Sequence, residues 1–272
     1  MYRLVLPLML VMSISAADWK KDVVFRATFD GSLDAKVAKG DPKLYSAPDY
    51  KKQDEAKPGL SAAPVEWAKG IGRNGDALRF TKKNTNALFF KAKGNVPFDP
   101  KNWTGTISFW LKLDPEKDLE PGFCDPIQLT DKAYNDSAIW VDFTKDERPR
   151  YFRLGVFGSL KAWNTSNIPP DKDPNFNNRL VTVKQPPFSN GKWTHVAITY
   201  SRLGSGEGEA KLYVGGKLMG ATPRIPEIFD WDIEKSTIRL GVNYTGLMDD
   251  IAIFNRHLDA HEIEEIASLT NW

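Results

Sequence analysis

Cysteine occurs once in this chain, at Cys124. A lone cysteine forms no internal disulfide, so the fold must hold by packing. It sits between Pro121-Gly122-Phe123 and Asp125-Pro126, where a small buried side chain is the expected role rather than a reactive thiol. Histidine is nearly as scarce, with three residues. His257 and His261 stand four apart without a joining Glu-x-x-His pattern, and His195 falls in a strand-like run, so a histidine metal centre has little support. Neither sign of charge dominates: 37 Lys and Arg against 35 Asp and Glu leave +2. That balance argues against nucleic acid as a partner. No segment after the N-terminus approaches transmembrane length, so no membrane anchor is expected. A Ser/His/Asp order with a nucleophile elbow is also missing.

What the chain does have is turns and aromatics. Eighteen prolines and twenty glycines in 272 residues point to many short strands. At 41% hydrophobic and 12% aromatic the chain can bury a sizeable core. Its start reads as a secretory signal. Arg3 is followed by an apolar run from Leu4 to Met12, and then by the small residues Ser15-Ala16-Ala17. The expected organisation is a signal peptide over 1–17 and one domain over 18–272, secreted or held in the periplasm or cell envelope.

Period-two alternation recurs along the domain. Ile107, Phe109, Leu111 and Leu113 share one face of a strand whose other face carries Ser108, Trp110 and Lys112. Ser137–Phe143, Tyr151–Phe157 and Gly191–Tyr200 read as further strands. Gly215-Gly216 predicts a tight hairpin between Leu212-Tyr213-Val214 and Lys217-Leu218. The stretch from Lys36 to Lys69 reads as a long surface excursion with at most one strand, near Lys43-Leu44-Tyr45. Asp259 with Glu262 forms a capping-box pattern at the start of a C-terminal helix with the stripe Ile263, Ile266 and Ala267. The stretch from Gly246 to Leu258 reads as a strand and carries Asp249-Asp250. Alternation puts Asp249 with Ile251 and Ile253, and Asp250 with Ala252 and Phe254. Buried carboxylates need partners. The expected fold is an all-β antiparallel sandwich with a short C-terminal helix.

An ordered series of motifs resembles a known superfamily. Phe29-Asp30-Gly31, Ile107-Ser108-Phe109-Trp110, Gly191-Lys192-Trp193-Thr194-His195-Val196, the Gly215-Gly216 hairpin and Leu247-Met248-Asp249-Asp250-Ile251-Ala252-Ile253 look like laminin-G-like domains of the concanavalin A-like lectin/glucanase superfamily. The likeness is to exported bacterial members of planctomycete type. It implies a jelly-roll sandwich with a concave sheet, in many members with a structural calcium. Carried over, the calcium ligands are Asp30, Asp249 and Asp250. The plainer alternative has Asp249 accepting from backbone N–H groups and Asp250 paired with Arg256 or a lysine.

Three functions stay open on these grounds. One is a non-catalytic binding module for a polysaccharide or an envelope component. Trp163, in a loop-like stretch, and Trp231 are the ligand-binding candidates, while Trp110, Trp140 and Trp193 default to core packing. Another is a glycan-active hydrolase. Asp230-Trp231-Asp232-Ile233-Glu234 nearly matches the superfamily's acidic pattern, and if extended would put three carboxylates on one face. The last is a structural or adhesive protein of the envelope.

Overall fold

A computed structural model describes residues 19–61, 64–170 and 172–271. The expected signal peptide, with Arg3 and Ser15-Ala16-Ala17, lies outside the described residues. The first half of the chain forms β1 (Val23–Ala27), β2 (Val37–Ala38), β3 (Tyr45–Ala47), β4 (Lys57–Pro58), β5 (Val65–Ala68), β6 (Ala77–Phe80), β7 (Ala87–Lys91) and β8 (Trp103–Lys112). The second half forms β9 (Cys124–Thr130), β10 (Ala138–Phe143), β11 (Phe152–Phe157), β12 (Val181–Val183), β13 (Thr194–Leu203), β14 (Glu209–Val214), β15 (Lys217–Ala221), β16 (Thr237–Val242) and β17 (Gly246–Phe254). They make two antiparallel sheets. One runs β15-β14-β13-β8-β17-β1-β2, with β6 on β17 and β5 on β6. The other runs β12-β11-β10-β9-β16-β7-β3-β4.

Alternation explains why the sheets stack. Ile107, Phe109 and Leu111 of β8 and Val196 and Ile198 of β13 point inward from the first sheet. Ile127, Leu129, Ile139 and Val141 meet them from the second, all fully buried. Each such side chain stabilises the fold by about 1.5–3 kcal/mol relative to exposure. Cys124 joins this core, and burial pushes its thiol up to about 11. It is therefore a packed hydrophobe with little thiolate character.

The outer faces of the two sheets meet different fates. The C-terminal helix, Ala260–Ser268, starts with the Asp259–Glu262 capping box. Its Ile263 and Ile266 pack on Ala197, Tyr213, Ala252 and Phe254, the outer side chains of the first sheet. Gly215 and Gly216 turn the β14–β15 hairpin beside that helix, both with positive φ (59° and 79°). On the second sheet two short helices, Leu160–Trp163 and Pro174–Asn178, pack Trp163 and Phe176 on Trp140 and Phe157, and a groove opens over the rest of that outer face.

Two expectations are corrected. The excursion from Lys36 to Lys69 supplies four strands, β2 to β5, and buries Leu44 completely. Strands of two to four residues are too short to show alternation, and only their pairing to β1, β6 and β7 defines them. In β17 the alternation breaks. The register shifts between Asp249 and Ala252, and Asp250 takes a positive φ of 47°. This bulge inserts one residue. Met248 and Ile251 both face the core, and Asp249, paired with Trp110, lies on the outer side rather than with Ile251.

Candidate functional site

The outward positions of the second sheet line up across its strands. Gly155 of β11 is opposite Trp140 of β10, and Trp140 is opposite Gln128 of β9. Gln128 pairs with Arg239 of β16, Arg239 with Phe89 of β7, and Phe89 with Tyr45 of β3. Six strands are crossed, a row of about 24 Å at the usual strand spacing. Gly155 is required at its place: a Cβ there would stand 2.2 Å from the Trp140 ring. The indole therefore lies over β11.

Hydrogen bonds fix the polar members. Arg153 Nε donates to Asp142 Oδ1 at 2.8 Å, and Arg153 Nη2 donates to the other oxygen of the same carboxylate. This fork is a strong, geometrically defined ion pair. Arg239 Nη1 donates to Gln128 Oε1 (2.8 Å), and Gln128 Nε2 donates to Asp125 Oδ2 (3.2 Å). Burial, with the charge of neighbouring Asp142, pushes the Asp125 carboxyl well above the usual range. Trp140 Nε1 donates to the Tyr134 carbonyl (2.6 Å).

A cavity of about 740 Å³ opens over this floor. Asp125, Gln128, Trp140, Asp142, Arg153 and Arg239 line it, with Tyr134, Phe123 and Phe176 as walls. Phe123 is 42% and Tyr134 41% exposed, so both present open aromatic faces. Phe157 and Phe176 stack at 5.0 Å behind Trp140. Aromatic faces beside fixed donors and acceptors suit a polar ligand that also has apolar ring faces.

Both tryptophans singled out from sequence lie elsewhere. Trp231 is 8% exposed, wedged against Trp103 (4.5 Å) and Phe98 (5.0 Å), with its N–H on the Ser137 carbonyl. It belongs to the core rather than to a ligand surface. Trp163 is half-buried, packs on Phe157 (5.1 Å), donates to the Asn135 carbonyl (2.8 Å) and lines a separate cleft of about 250 Å³. The acidic segment is a turn, not a strand. Asp230 pairs with Lys132 (2.7 Å), Asp232 with Lys235 (3.1 Å) and Glu234 with Lys93 (2.5 Å). The three carboxylates share no face.

Trp140, Asp142, Arg153 and Arg239 were legible in principle. Each occupies the phase opposite to core aliphatics: Trp140 and Asp142 against Ile139 and Val141, and Arg239 between Ile238 and Leu240. Arginine in the outward phase of a strong strand was the missed signal.

The aspartates of the first sheet gather around the turn from Gly72 to Asp76. Asp249 Oδ2 accepts from the Arg73 N–H (2.6 Å) and Oδ1 from the Asp250 N–H (2.7 Å). Asp30 Oδ1 accepts from the Asp76 N–H (2.9 Å). A Cβ at Gly72 would lie 2.9 Å from Asp249 Oδ2, and one at Gly75 would lie 2.3 Å from Asp30 Oδ1, so the glycines let both carboxylates close on the turn. Burial, then the charges of Asp250 and Asp30, raises Asp249 to about 8. Asp250 is different. Its oxygens accept from Arg26 (3.2 Å) and Arg73 (2.8 Å), not from Arg256, which pairs with Asp22 and Glu262. Two guanidinium groups make Asp250 unfit as a calcium ligand. Asp30 and Asp249 are oxygen donors of the kind calcium takes, and the bonds described for both carboxylates come from backbone N–H groups. Among the described residues no group of three or more His, Cys, Asp or Glu side chains is placed to hold a metal.

His195 Nε2 stands 2.8 Å from Ser108 Oγ on the neighbouring strand β8. Burial and the nearby Arg73 charge lower it to about 3, so it is a neutral core histidine.

Two stacked antiparallel sheets with a groove on one outer face define a concanavalin A-like sandwich. The chain belongs to the Laminin_G_3 family, of the concanavalin A-like lectin/glucanases superfamily, whose model matches residues 82–264. No curated protein sequence matches it. Among solved structures it is similar to domain 4 of AbnA, a GH43 extracellular arabinanase from Geobacillus stearothermophilus, in complex with arabinotriose. The identity is 16%, the TM-score 0.55, and the match covers 91% of this chain and 98% of that one. It is also similar to the binding domain of botulinum neurotoxin DC in complex with SialylT (11% identity, TM-score 0.56, 93% and 52% covered). The receptor-binding domain of botulinum neurotoxin type G is a third (15%, 0.53, 90% and 51%). The chain spans about half the length of these neurotoxin domains. Among the described residues no helix is long and apolar enough to cross a membrane.

Proposed function

We propose that this chain is an exported, non-catalytic carbohydrate-binding module whose ligand lies in the groove of the second sheet. The observation that carries this is the row Trp140–Gln128–Arg239–Phe89–Tyr45 crossing the strands. It forms a floor of fixed polar groups, with Trp140 and Phe89 buried as its supports, and the rings open to a sugar are Phe123 (42% exposed) and Tyr134 (41%) at its wall. The arabinotriose held by the arabinanase domain accords with the reading. The experiment is affinity electrophoresis in gels cast with soluble neutral and acidic polysaccharides. Tyr134→Ala and Phe123→Ala should abolish retardation, and Lys217→Glu, exposed on β15 of the other sheet, should leave it intact. Retardation unchanged in the two groove variants would sink the reading.

Asp30 and Asp249 are proposed to hold a structural calcium. Bound there, the ion would neutralise a carboxylate that burial keeps costly to ionise. The two aspartates would hold it while Asp250 keeps Arg73 in place.

A hydrolytic reading has one observation in its favour: Asp125 and Asp142 line the same cavity from adjacent strands. Both oxygens of Asp142 accept from Arg153 and its side chain is 5% exposed, so this carboxylate is held in a buried ion pair rather than presented to a sugar. Reducing ends released by the native chain and lost in Asp125→Asn would revive it.

A further inference from the structure

Arg239 stands at the centre of the groove. Its residue is 6% exposed. Nε donates to Thr237 Oγ1 (3.3 Å), Nη1 to Gln128 Oε1 (2.8 Å) and Nη2 to the Lys132 carbonyl (3.0 Å). All three acceptors are neutral. Among the described residues no carboxylate lies within ion-pair distance of Arg239, in contrast to Arg153, whose charge is matched by Asp142. A guanidinium carries five N–H groups, so two remain after these bonds. A buried, unmatched cation is costly unless something neutralises it. Asp125 and Asp131, the acidic groups near it, are both pushed toward their neutral forms by burial.

The surroundings of Arg239 continue the pattern. A second cavity of about 1050 Å³ lies on its far side. The two cavities share Arg239 and Ala133 as a common wall. The second holds five basic side chains, Arg239 included, against three acidic ones. The first holds three basic side chains against four acidic. Tyr50 faces the Arg239 guanidinium at 4.5 Å, and Tyr45 stacks on Phe89 at 5.9 Å, so the second cavity also has aromatic faces. Of those five, Lys91, Lys132 and Lys235 already pair with Asp41, Asp230 and Asp232, which leaves Arg239 and the rim residue Lys51 as the cations of this cavity with no carboxylate at ion-pair distance among the described residues.

We propose that the groove takes an anionic polysaccharide, laid across the strands with a carboxylate or sulfate group on Arg239 and sugar rings on either side. This rests on the carbohydrate reading above and names the ligand class. A planar guanidinium with two free donors matches either oxyanion in a forked contact. The buried site makes the bond insensitive to screening compared with the rim lysines.

The test uses matched pairs: dextran sulfate against dextran, and polygalacturonate against its methyl ester. Affinity electrophoresis of the chain lacking residues 1–17 should show retardation by a charged polymer and not by its neutral partner. Which pair responds separates sulfate from carboxylate. Arg239→Gln should weaken retention at least tenfold. Lys51→Glu, exposed at the rim of the second cavity, should weaken it a few-fold with an unchanged melting curve, which covers the case of a misfolded Arg239 variant. Lys217→Glu, exposed on the edge strand β15, should change nothing. Retention of neutral polysaccharides alone would overturn the anionic ligand and leave the groove reading standing. Retention of no polymer, neutral or acidic, would overturn both. Charged-polymer binding unaltered by both groove variants would place the contact elsewhere and end the proposal.

Discussion

Arg73 Nη1 lies 2.8 Å from Asp250 Oδ2, across 177 positions of sequence. The same guanidinium covers the Trp110 ring at 4.0 Å and donates to the Leu269 carbonyl. One side chain thus ties the Gly72–Asp76 turn, the β17 bulge and the end of the C-terminal helix together. Its exposure is 7% and that of Asp250 4%, so solvent screens the pair weakly.

Removing either partner should leave a buried charge. Arg73→Met or Asp250→Ala is expected to lower stability by about 3–5 kcal/mol, the usual cost of breaking a buried pair from one side. Urea unfolding of both single variants and the double variant would give the coupling, and additive effects would show that the pair contributes nothing of its own.

Gly155 leaves the room that the Trp140 ring occupies in the groove floor. Gly155→Ala drives a Cβ to 2.2 Å from Trp140 Cζ2. An overpacked site of this kind costs about 1–3 kcal/mol. A lower Tm together with lost polysaccharide retention is expected, whereas Gly191→Ala, with room around it, should alter neither.

His195 sets part of the acid limb of stability. Its folded value is about 3 against an ordinary 6.5, so between these pH values the unfolded chain binds a proton that the folded chain refuses. Stability from this residue is complete above pH 6.5 and falls as pH drops toward 3, by at most about 1.4 kcal/mol per pH unit. Melting curves from pH 7 to 4 should flatten in His195→Gln relative to the native chain. An equal slope in the variant would show that other groups carry it.

Calcium bound by Asp30 and Asp249 would stabilise only the folded chain. At a hundredfold excess over Kd this contributes about 2.7 kcal/mol. Excess chelator should then lower Tm by several degrees in the native chain and have no effect on Asp249→Asn. A native melting curve indifferent to both calcium and chelator would remove the ion from the account.

Much of the sandwich was legible in the chain itself. Strands such as β8 and β13 repeat every second residue for ten positions, long enough to assign the faces of Ile107, Phe109 and Trp110 correctly. The capping box at Asp259 is a local pattern and formed as written. The short edge strands β2 to β5 were not legible, because two to four residues cannot express a period.

The binding face was harder. Trp231 stands between two aspartates and Trp140 between two aliphatics, which suggests the first as the exposed one. The first fills a gap among Phe98, Trp103 and Phe229, whereas the second lies outside the sheet over Gly155. The Asp249-Asp250 pair was read with the wrong face because a single bulge residue reverses every position before it.

By itself, then, the sequence determined the class of fold, since alternation, turn residues and caps act within a few positions of one another. The tertiary structure alone decided which outward side chains stand in register across six strands, and which carboxylates meet arginines. Those relations join residues far apart in the chain: Tyr45 with Phe89 and Arg239, and Arg73 with Asp250. No local pattern encodes them, because they arise only when long-range strand pairing fixes the register.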